Sequence, residues 1–331
     1  MSLPKFDVAG IGNALVDVIA NADDAFLASE GIQKGSMTLI DAARADALYG
    51  RMGEAIESSG GSCGNTIAGL ASLGGTGAFF GKVKNDQLGD VYVHDIKTLG
   101  VAFPAKIATD GAPTGRCLVL VTPDAERSMS TYLGAAQSLT PDDIDADVIK
   151  ASAITYMEGY LWDQQSAKDA FLKAAKISRD AGRIVSLTLS DSFCVGRFRA
   201  EFRNLVKNEV DLLFANESEL LSLYETTSFD EALTQLRREC KHAAVTRSEE
   251  GAIIIANGEA HKIAADKIDK VVDTTGAGDL FSAGFLYGLA RNMGPVKSGQ
   301  LGAMAAAEII SHYGPRPLVS LKKLAVQKGL L

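Results

Sequence analysis

The chain has 331 residues, 47% of them hydrophobic and 22% charged, with a formal net charge of −8. This composition is typical of a globular protein with one large domain, with or without a small appendage. The acidic balance excludes nucleic-acid binding as the main function, so a polyanionic ligand would need a local site made of amides, a few cations and a metal ion.

The spacing of cysteine and histidine predicts neither a disulfide framework nor a zinc site. Four of each are scattered along the chain without C-x-x-C spacing, so we expect reduced thiols in a cytoplasmic enzyme. The apolar stretch 8–20 contains Asn13 and Asp17 and has no cleavage-site pattern, so we do not expect a signal peptide. No apolar segment is long enough to predict a membrane span.

The first 133 residues mix apolar runs with glycine-rich turns. In chain order they predict a strand at 6–11, a helix at 62–73, a strand at 78–83, a helix at 89–99, an extended run at 101–107 and an antiparallel pair at 117–122 and 128–131. Two strand-rich sections, 14–45 and 105–133, break any regular alternation. We expect these sections to form a small second sheet outside the main body.

From residue 150 onward, short apolar strands alternate regularly with amphipathic helices. Strands are predicted at 154–157, 184–189, 212–215, 243–246 and 252–256, and helices at 165–180, 201–208, 217–224, from about 278, and at 299–313. This rhythm predicts an α/β fold whose mostly parallel sheet is covered on both faces. The main domain would comprise residues 1–13, 46–104 and 134–331.

Residues 272–286 place a carboxylate beside a run of backbone donors at the start of a predicted helix. Gly276 and Gly278 allow a tight turn, which exposes the amides of Ala277, Gly278 and Asp279 as a nest for phosphate or a developing oxyanion. Asp279, at the positive end of the helix, should stay ionised and accept a proton from a hydroxyl. The pattern therefore indicates phosphoryl transfer. The alternative is a simple turn followed by a capping aspartate.

The whole string 272–286 resembles the C-terminal signature of the ribokinase-like (PfkB) kinases, and the resemblance extends from about residue 6 to 318. It implies a three-layer α/β sandwich with a mostly parallel central sheet and a small β-sheet lid that moves about a hinge such as Gly60-Gly61. It also implies transfer of the γ-phosphoryl group of ATP with Mg²⁺. Asp279 would be the base, and Gly276 and Gly278 would approach the phosphates.

Two N-terminal segments resemble the family's acceptor-binding motifs. Asn13 and Asp17 lie in a G-N-x-x-x-D segment, in which the aspartate binds two sugar hydroxyls, and Gly61 and Asn65 match G-G-x-x-x-N. The alternatives are a strand-ending aspartate and a structural asparagine. A nicotinamide site at Gly10-Ile11-Gly12 is a weaker hypothesis, since the third glycine of that fingerprint is missing.

Two further segments resemble the family's ATP side. Asn216 and Glu219 match N-x-x-E, which organises Mg²⁺ largely through water, although the pattern alone is also a common helix cap. Thr246, Ser248 and Gly251 stand where the family has T-x-G-x-x-G contacting ATP phosphates, with Ser248 in place of a glycine. We therefore expect weaker backbone approach to the phosphates at Ser248.

The resemblance assigns roles to three more residues. Arg127 corresponds to an arginine that reaches the transferred phosphate, with a solvated loop charge as the alternative. Asp273 and Thr275 resemble residues that hold a monovalent cation such as K⁺ in many relatives, and structural capping is an equal alternative.

The acceptor is predicted from aromatic residues. Phe193 lies in a segment similar to one in the adenosine-kinase branch of the family, whose phenylalanine stacks on the purine, and Leu161 or Trp162 would form the other wall. The alternative is that Phe193 and Trp162 are ordinary core residues, in which case a sugar kinase with the same catalytic residues is favoured. We expect ATP and a small nucleoside or sugar as partners, and no nucleic acid or membrane. A catalytically silent nucleoside-binding protein, and a monomer or a homodimer formed through the lid, stay open.

Overall fold

The computed structural model describes residues 3–124 and 126–331. Its strands are β1 (Phe6–Ile11), β2 (Leu15–Asn21), β3 (Met37–Leu39), β4 (Ala55–Gly60), β5 (Gly77–Phe80), β6 (Gly115–Val121), β7 (Arg127–Tyr132), β8 (Ser152–Glu158), β9 (Ile184–Thr188), β10 (Leu212–Asn216), β11 (His242–Thr246), β12 (Ala252–Ala256) and β13 (Glu259–Ile263).

The helices follow the same chain order. They are α1 (Asp24–Ser29), α2 (Ala42–Tyr49), α3 (Ser62–Ser72), α4 (Gln87–Thr98), α5 (Ala146–Lys150), α6 (Gln165–Asp180), α7 (Ser192–Asn208), α8 (Glu217–Tyr224), α9 (Phe229–Glu239), α10 (Ala277–Ala290), α11 (Pro295–Ile309) and α12 (Leu321–Gln327). Short 3-10 turns cover Gly134–Ser138, Pro141–Asp143, Gly159–Leu161 and Ser248–Glu250.

The main sheet has eight strands in the order β13-β12-β11-β10-β9-β8-β1-β5. The strands from β11 to β5 are parallel, and the hairpin β12–β13 adds two antiparallel strands at one edge. Parallel neighbours need crossover connections, which here are mostly helices that cover the sheet. The predicted mostly parallel sheet is confirmed.

Two apolar cores lie on opposite faces of this sheet. Val8 belongs to one core together with Leu280 of α10 and Leu301 of α11, whereas its neighbour Ala9 belongs to the other together with Phe171 of α6. Successive side chains of a strand point to opposite faces, so this division follows from the strand period of two. The result is the predicted three-layer arrangement.

The second sheet has five strands in the order β3-β7-β6-β2-β4. It draws on both predicted sections, but it also takes in β4, which lies in a range predicted for the main domain. The sequence of β4, Ala-Ile-Glu-Ser-Ser-Gly, lacks an apolar alternation, and its main chain joins the sheet by antiparallel pairing with β2. The division into a main domain and a lid stays a prediction, and its boundary at residue 46 would cut this sheet.

Three elements differ from their predicted limits. Residues 101–107 form no strand beyond one bridge between Ala102 and Ala78. Helix α7 begins nine residues before the predicted 201, and non-helical backbone at Phe198 interrupts it. Helix α11 covers Pro295–Ile309 rather than 299–313, because Pro295 is well suited to a first helical position.

Close packing between α3 and α10 brings the beginnings of these two helices together. A Cβ atom at Gly69 would lie 2.5 Å from Leu280 Cδ1 and 2.8 Å from Ala283 Cβ, so only glycine allows this approach. The first turns of both helices therefore lie side by side, where β1 and β8 end.

Within residues 3–124 and 126–331, no helix has both the length and the apolar character needed to cross a membrane.

Candidate active site

The turn before α10 presents free backbone donors. Gly276 has φ 81°, and Pro315 packs so closely against it that a Cβ atom there would lie 3.1 Å from Pro315 Cα. The amide of Leu280 donates to Gly276 O at 2.9 Å, but no described residue accepts a hydrogen bond from the amides of Gly278 and Asp279. These donors lie at the positive end of a 14-residue helix, an arrangement that binds anions.

Asp279 is held by two side chains from the first turn of α3. Ser62 Oγ donates to Asp279 Oδ1 at 2.6 Å, and Asn65 Nδ2 donates to Asp279 Oδ2 at 3.0 Å. Burial raises the pKa of Asp279, while these hydrogen bonds and the positive charge of Arg316 act in the opposite direction. The sequence predicts an ionised Asp279 from the helix end alone, whereas burial favours the protonated form. A raised pKa suits a group that must accept a proton.

Asn65 contacts the Asp279 carboxylate, but another polar atom of its side chain has no partner. Its carbonyl oxygen Oδ1 is buried and has no hydrogen-bond partner among the described residues. Ser62, which holds the same carboxylate, did not appear in the sequence prediction. Its only signal is its position directly after Gly60-Gly61, at the start of a helix.

Asp17 lies within β2, in the second sheet, and its carboxylate packs on the main chain of Gly60. A Cβ atom at residue 60 would lie 2.4 Å from Asp17 Cγ. No described residue donates a hydrogen bond to this carboxylate. Burial raises the pKa of Asp17 to about 6, against the opposing charges of Arg316 and Arg127. A carboxylate that accepts no hydrogen bond from the protein can accept two hydrogen bonds from a ligand.

Gly61 follows with φ 83°, a backbone conformation that favours glycine, and a Cβ atom there would lie 2.2 Å from Asn13 O. Both glycines of the predicted hinge are thus required by close contacts in this structure.

Asn13 is bound by an acid that the sequence prediction missed. Its Nδ2 donates to Glu158 Oε1 at 2.8 Å, and the amide of Cys63 in α3 donates to Glu158 Oε2 at 2.9 Å. Burial raises the pKa of Glu158 to about 7. Glu158 therefore joins the end of β1 to the start of α3. The signal in the sequence was a carboxylate directly after an apolar strand.

Asn216 and Glu219 form a reciprocal cap at the start of α8. Glu219 Oε1 accepts from Asn216 Nδ2 at 2.6 Å and Oε2 from Asn216 N at 3.0 Å. Burial, together with the nearby charges of Asp191 and Asp279, raises the pKa of Glu219 to about 7. The oxygens of Glu219 and Asn216 are hard donors of the kind that a divalent ion prefers. Because the cap already engages them, they fit an ion that keeps its water shell and is bound through water.

The predicted phosphate-contact segment begins beside this cap. Thr246 ends β11 and is in register with Asn216 at the end of β10. Ser248 has φ 48°, so the backbone keeps the left-handed conformation that favours glycine, although serine stands there. Gly251 has φ 84°, and a Cβ atom there would lie 2.0 Å from Ile263 O.

Arg127 forms a buried ion pair with Asp273, with 3.0 Å between Nη1 and Oδ2. The same carboxylate accepts from the amide of Thr275 at 2.9 Å and from the amide of Gly314 at 3.1 Å. Three donors thus bind this carboxylate, and the monovalent-cation site at Asp273 and Thr275 stays a prediction. Arg127 Nε is buried without a partner among the described residues.

The predicted base pocket needs one correction. Trp162 is buried with its ring near Phe171 and Phe202, and its Nε1 donates to Glu201 at 2.9 Å, so it is a core residue and not a pocket wall. The backbone turns at Gly159–Leu161 and sends this ring inward. Leu161 is buried in the same core.

Phe193, in contrast, is 71% exposed in the first turn of α7. Tyr160 was not predicted, yet burial and the adjacent Asp191 raise the pKa of its hydroxyl, which also senses Asp279 and Glu219.

These features define a kinase of the PfkB type. Residues 34–321 match the model of the pfkB family carbohydrate kinases, and the chain belongs to this family. It is a phosphotransferase with an alcohol acceptor, and the family implies ATP and a divalent metal.

Among particular relatives, the adenosine kinase of Saccharomyces cerevisiae is 28% identical over 327 residues, covering 92% of this chain and 95% of the yeast protein. The crystal structure of adenosine kinase from Sinorhizobium meliloti is 53% identical, with a TM-score of 0.91, covering 98% of this chain and 99% of that one. A probable sugar kinase protein from Rhizobium etli CFN 42 is 51% identical, with a TM-score of 0.93, covering 99% of this chain and 100% of that one.

Proposed function

We propose that the protein transfers the γ-phosphoryl group of ATP to the 5′-hydroxyl of a purine nucleoside, with adenosine giving AMP. The observation that carries this proposal is the pairing of the Asp279 carboxylate with the free amides of Gly278 and Asp279 at the start of α10. A proton acceptor and an anion cradle lie within one helical turn.

In the proposed reaction, Asp279 takes the proton of the 5′-hydroxyl as its oxygen forms a bond to the γ-phosphorus. The bond from phosphorus to the bridging oxygen breaks, and ADP leaves with the negative charge. The free amides of Gly278 and Asp279 offset charge on the transferring group, whereas the predicted donor Ala277 N is bonded to Thr274 O at 3.2 Å. Positioning and electrostatics do most of the work. A divalent ion, when bound, would neutralise phosphate charge, and Asn216 and Glu219 would hold its water shell.

The sugar would be held on the other side of Asp279. The Asp17 carboxylate has no donor among the described residues, so it can accept one hydrogen bond from each hydroxyl of a vicinal diol. Gly61 allows close approach to the main chain, and the buried Oδ1 of Asn65 requires a donor. Asn13, fixed by Glu158, would line the same side.

The choice of a nucleoside rests on Phe193. The Phe193 side chain is 71% exposed, with the Arg197 guanidinium 5.8 Å from its ring centroid, and it offers a flat apolar face for a base. The names of the yeast and Sinorhizobium relatives, both adenosine kinases, support this acceptor. A sugar kinase is the second candidate, because the Rhizobium relative carries that name and because Leu161 and Trp162, the two candidates for the second wall, are both buried in the core.

The test is an ADP-release assay with Mg-ATP and a panel of adenosine, inosine, guanosine, cytidine, ribose and fructose. We expect turnover confined to purine nucleosides and lost in Asp279→Ala. Turnover with a free sugar alone would overturn the nucleoside assignment while keeping the catalytic base.

A further inference from the structure

Arg316, in the loop between α11 and α12, directs its guanidinium into the region of Asp17 and Asp279. Nη1 donates to Gly64 O at 2.9 Å, and Nη2 donates to Ser59 O at 2.7 Å and to Ser59 Oγ at 2.8 Å. Nε adds a bond to Ser59 O at 3.1 Å. Every one of these acceptors is uncharged.

The acceptors lie on both sides of Gly60-Gly61. Ser59 belongs to β4 of the second sheet, and Gly64 belongs to the first turn of α3 on the main body. An arginine fork is planar and rigid, so bonds from one guanidinium to both carbonyls fix the distance across the two glycines. The same α3 turn carries Ser62 and Asn65, which hold Asp279.

The charge of Arg316 has no acidic partner in direct contact. No carboxylate lies within 4.0 Å of its nitrogens in the described part of the chain, although the group is buried enough to lower its pKa. Its charge instead interacts at longer range with Tyr92, Asp17, Asp95 and Asp279. At Asp17 and Asp279 it opposes the effect of burial. An isolated buried charge costs free energy, which a role in catalysis would explain.

We propose that Arg316 is a positioning residue for phosphoryl transfer, which ties Ser59 to Gly64 across Gly60-Gly61 and supplies positive charge to the two site carboxylates. This inference rests on the proposed roles of Asp17 and Asp279. Pro315, its neighbour, packs on Gly276, so the same loop also supports the anion cradle.

Several other groups share this electrostatic environment. Those that exchange influence with Asp17 or Asp279 are Arg127, Tyr92, Cys117, Cys63, Tyr156, Glu158, Tyr160 and Glu219. Burial keeps the thiols and phenols of this group protonated and uncharged, so Glu158 and Glu219 are its acids that can carry charge. Arg316 is the cation that favours ionisation of Asp279.

The experiment compares Arg316→Gln, Arg316→Lys and the control Arg237→Gln, whose guanidinium binds the carbonyl of Gly258 far from the site. For the acceptor that the wild type phosphorylates, kcat and KM are measured from pH 5 to 9. Arg316→Gln should lose at least tenfold in kcat, and the acidic limb of its pH profile should move to higher pH. Arg316→Lys should keep the limb near the wild-type position but raise the acceptor KM.

Hydrogen exchange of peptides spanning 55–70 provides a readout independent of turnover. Exchange should increase in Arg316→Gln and stay unchanged in Arg237→Gln. An acidic limb in Arg316→Gln that coincides with the wild-type limb, or unchanged exchange over 55–70, would overturn the proposal. If Arg316→Gln does not fold, Arg316→Lys provides the test. An acidic limb of its pH profile that is shifted from the wild-type position would overturn the proposal that the positive charge of Arg316 acts on the site carboxylates. A change of acceptor from nucleoside to sugar affects only the proposed function.

Discussion

The two ends of the site are built differently. At the transfer end, Asp279 is fixed by Ser62 and Asn65, and the cradle before α10 is shaped by close contacts of Gly276. At the proposed acceptor end, the ring of Phe193 in the first turn of α7 is 71% exposed, and non-helical backbone at Phe198 interrupts this helix. The proposed proton acceptor is therefore held by several contacts, whereas the ring proposed to stack on the base is mostly exposed.

The largest effect should come from the transfer end. Asp279→Asn keeps the hydrogen-bonding shape but removes the proton acceptor, so kcat should fall about 10²- to 10⁴-fold, with little change in ATP binding. Steady-state kinetics and ATP titration measure both. Asp41→Asn, which keeps a cap on the distant α2, is the matched control and should change kcat less than about twofold. Near-normal turnover of Asp279→Asn would contradict a base at this end.

Asp17→Asn should separate activity from stability. Loss of a charged acceptor for two hydroxyls should lower kcat/KM for the nucleoside about 100-fold. The pKa of Asp17 is about 6 in the folded state, above the ordinary value of 3.8. The folded state therefore binds more protons between these values, and stability falls as pH rises through them. The variant should therefore melt at a higher temperature than wild type at pH 8, with the difference vanishing near pH 4.

Thermal melts at the two pH values test this directly. An Asp17→Asn protein that is less stable than wild type at pH 8 would mean that the carboxylate is paired in the folded state.

At the acceptor end, Phe193→Ala should raise the nucleoside KM roughly 5- to 150-fold, the equivalent of one stacked base, and leave the ATP KM unchanged. Trp162→Phe is the matched aromatic control. It should lower the unfolding free energy through the lost bond to Glu201, without changing either KM. An unchanged nucleoside KM in Phe193→Ala would mean that Phe193 does not stack on a base. The acceptor end would then have no feature that distinguishes it from that of a sugar kinase.

The residues recovered from the sequence share a local signal. The helix start at Gly276 to Asp279 and the strand-end cap at Asn216 and Glu219 are readable because turn, cap and apolar period lie within a few positions. Seven strands of the main sheet were predictable for the same reason, since each is a short apolar run. The edge strand β13, with the mostly exposed sequence Glu-Ala-His-Lys-Ile, was not predicted.

Contacts across long sequence separations could not be read in this way. Ser62 meets Asp279 across 217 residues, and Arg316 meets Ser59 across 257. Glu158 bonds Asn13 across 145 residues. Trp162 was wrongly predicted as a wall of the base pocket. The direction of its side chain depends on the 3-10 turn at Gly159–Leu161, and the sequence alone does not show which side of that turn faces the core.

The smallest predicted effect concerns Ser248, at the ATP side of the transfer end. Its φ of 48° costs an L-residue about 1–2 kcal/mol, and glycine would relieve this cost but lose about 0.5–1 kcal/mol through its freer unfolded chain. Ser248→Gly should therefore raise the unfolding free energy by about 0.5–1 kcal/mol in urea titrations, with an ATP KM within about twofold of wild type.

Gly251→Ala is the opposing control, since its Cβ would lie 2.0 Å from Ile263 O and should destabilise the fold strongly. If Ser248→Gly instead raises the ATP KM several-fold, the serine hydroxyl itself binds phosphate. The contacts of the transfer end would then extend to a side chain that the family usually lacks.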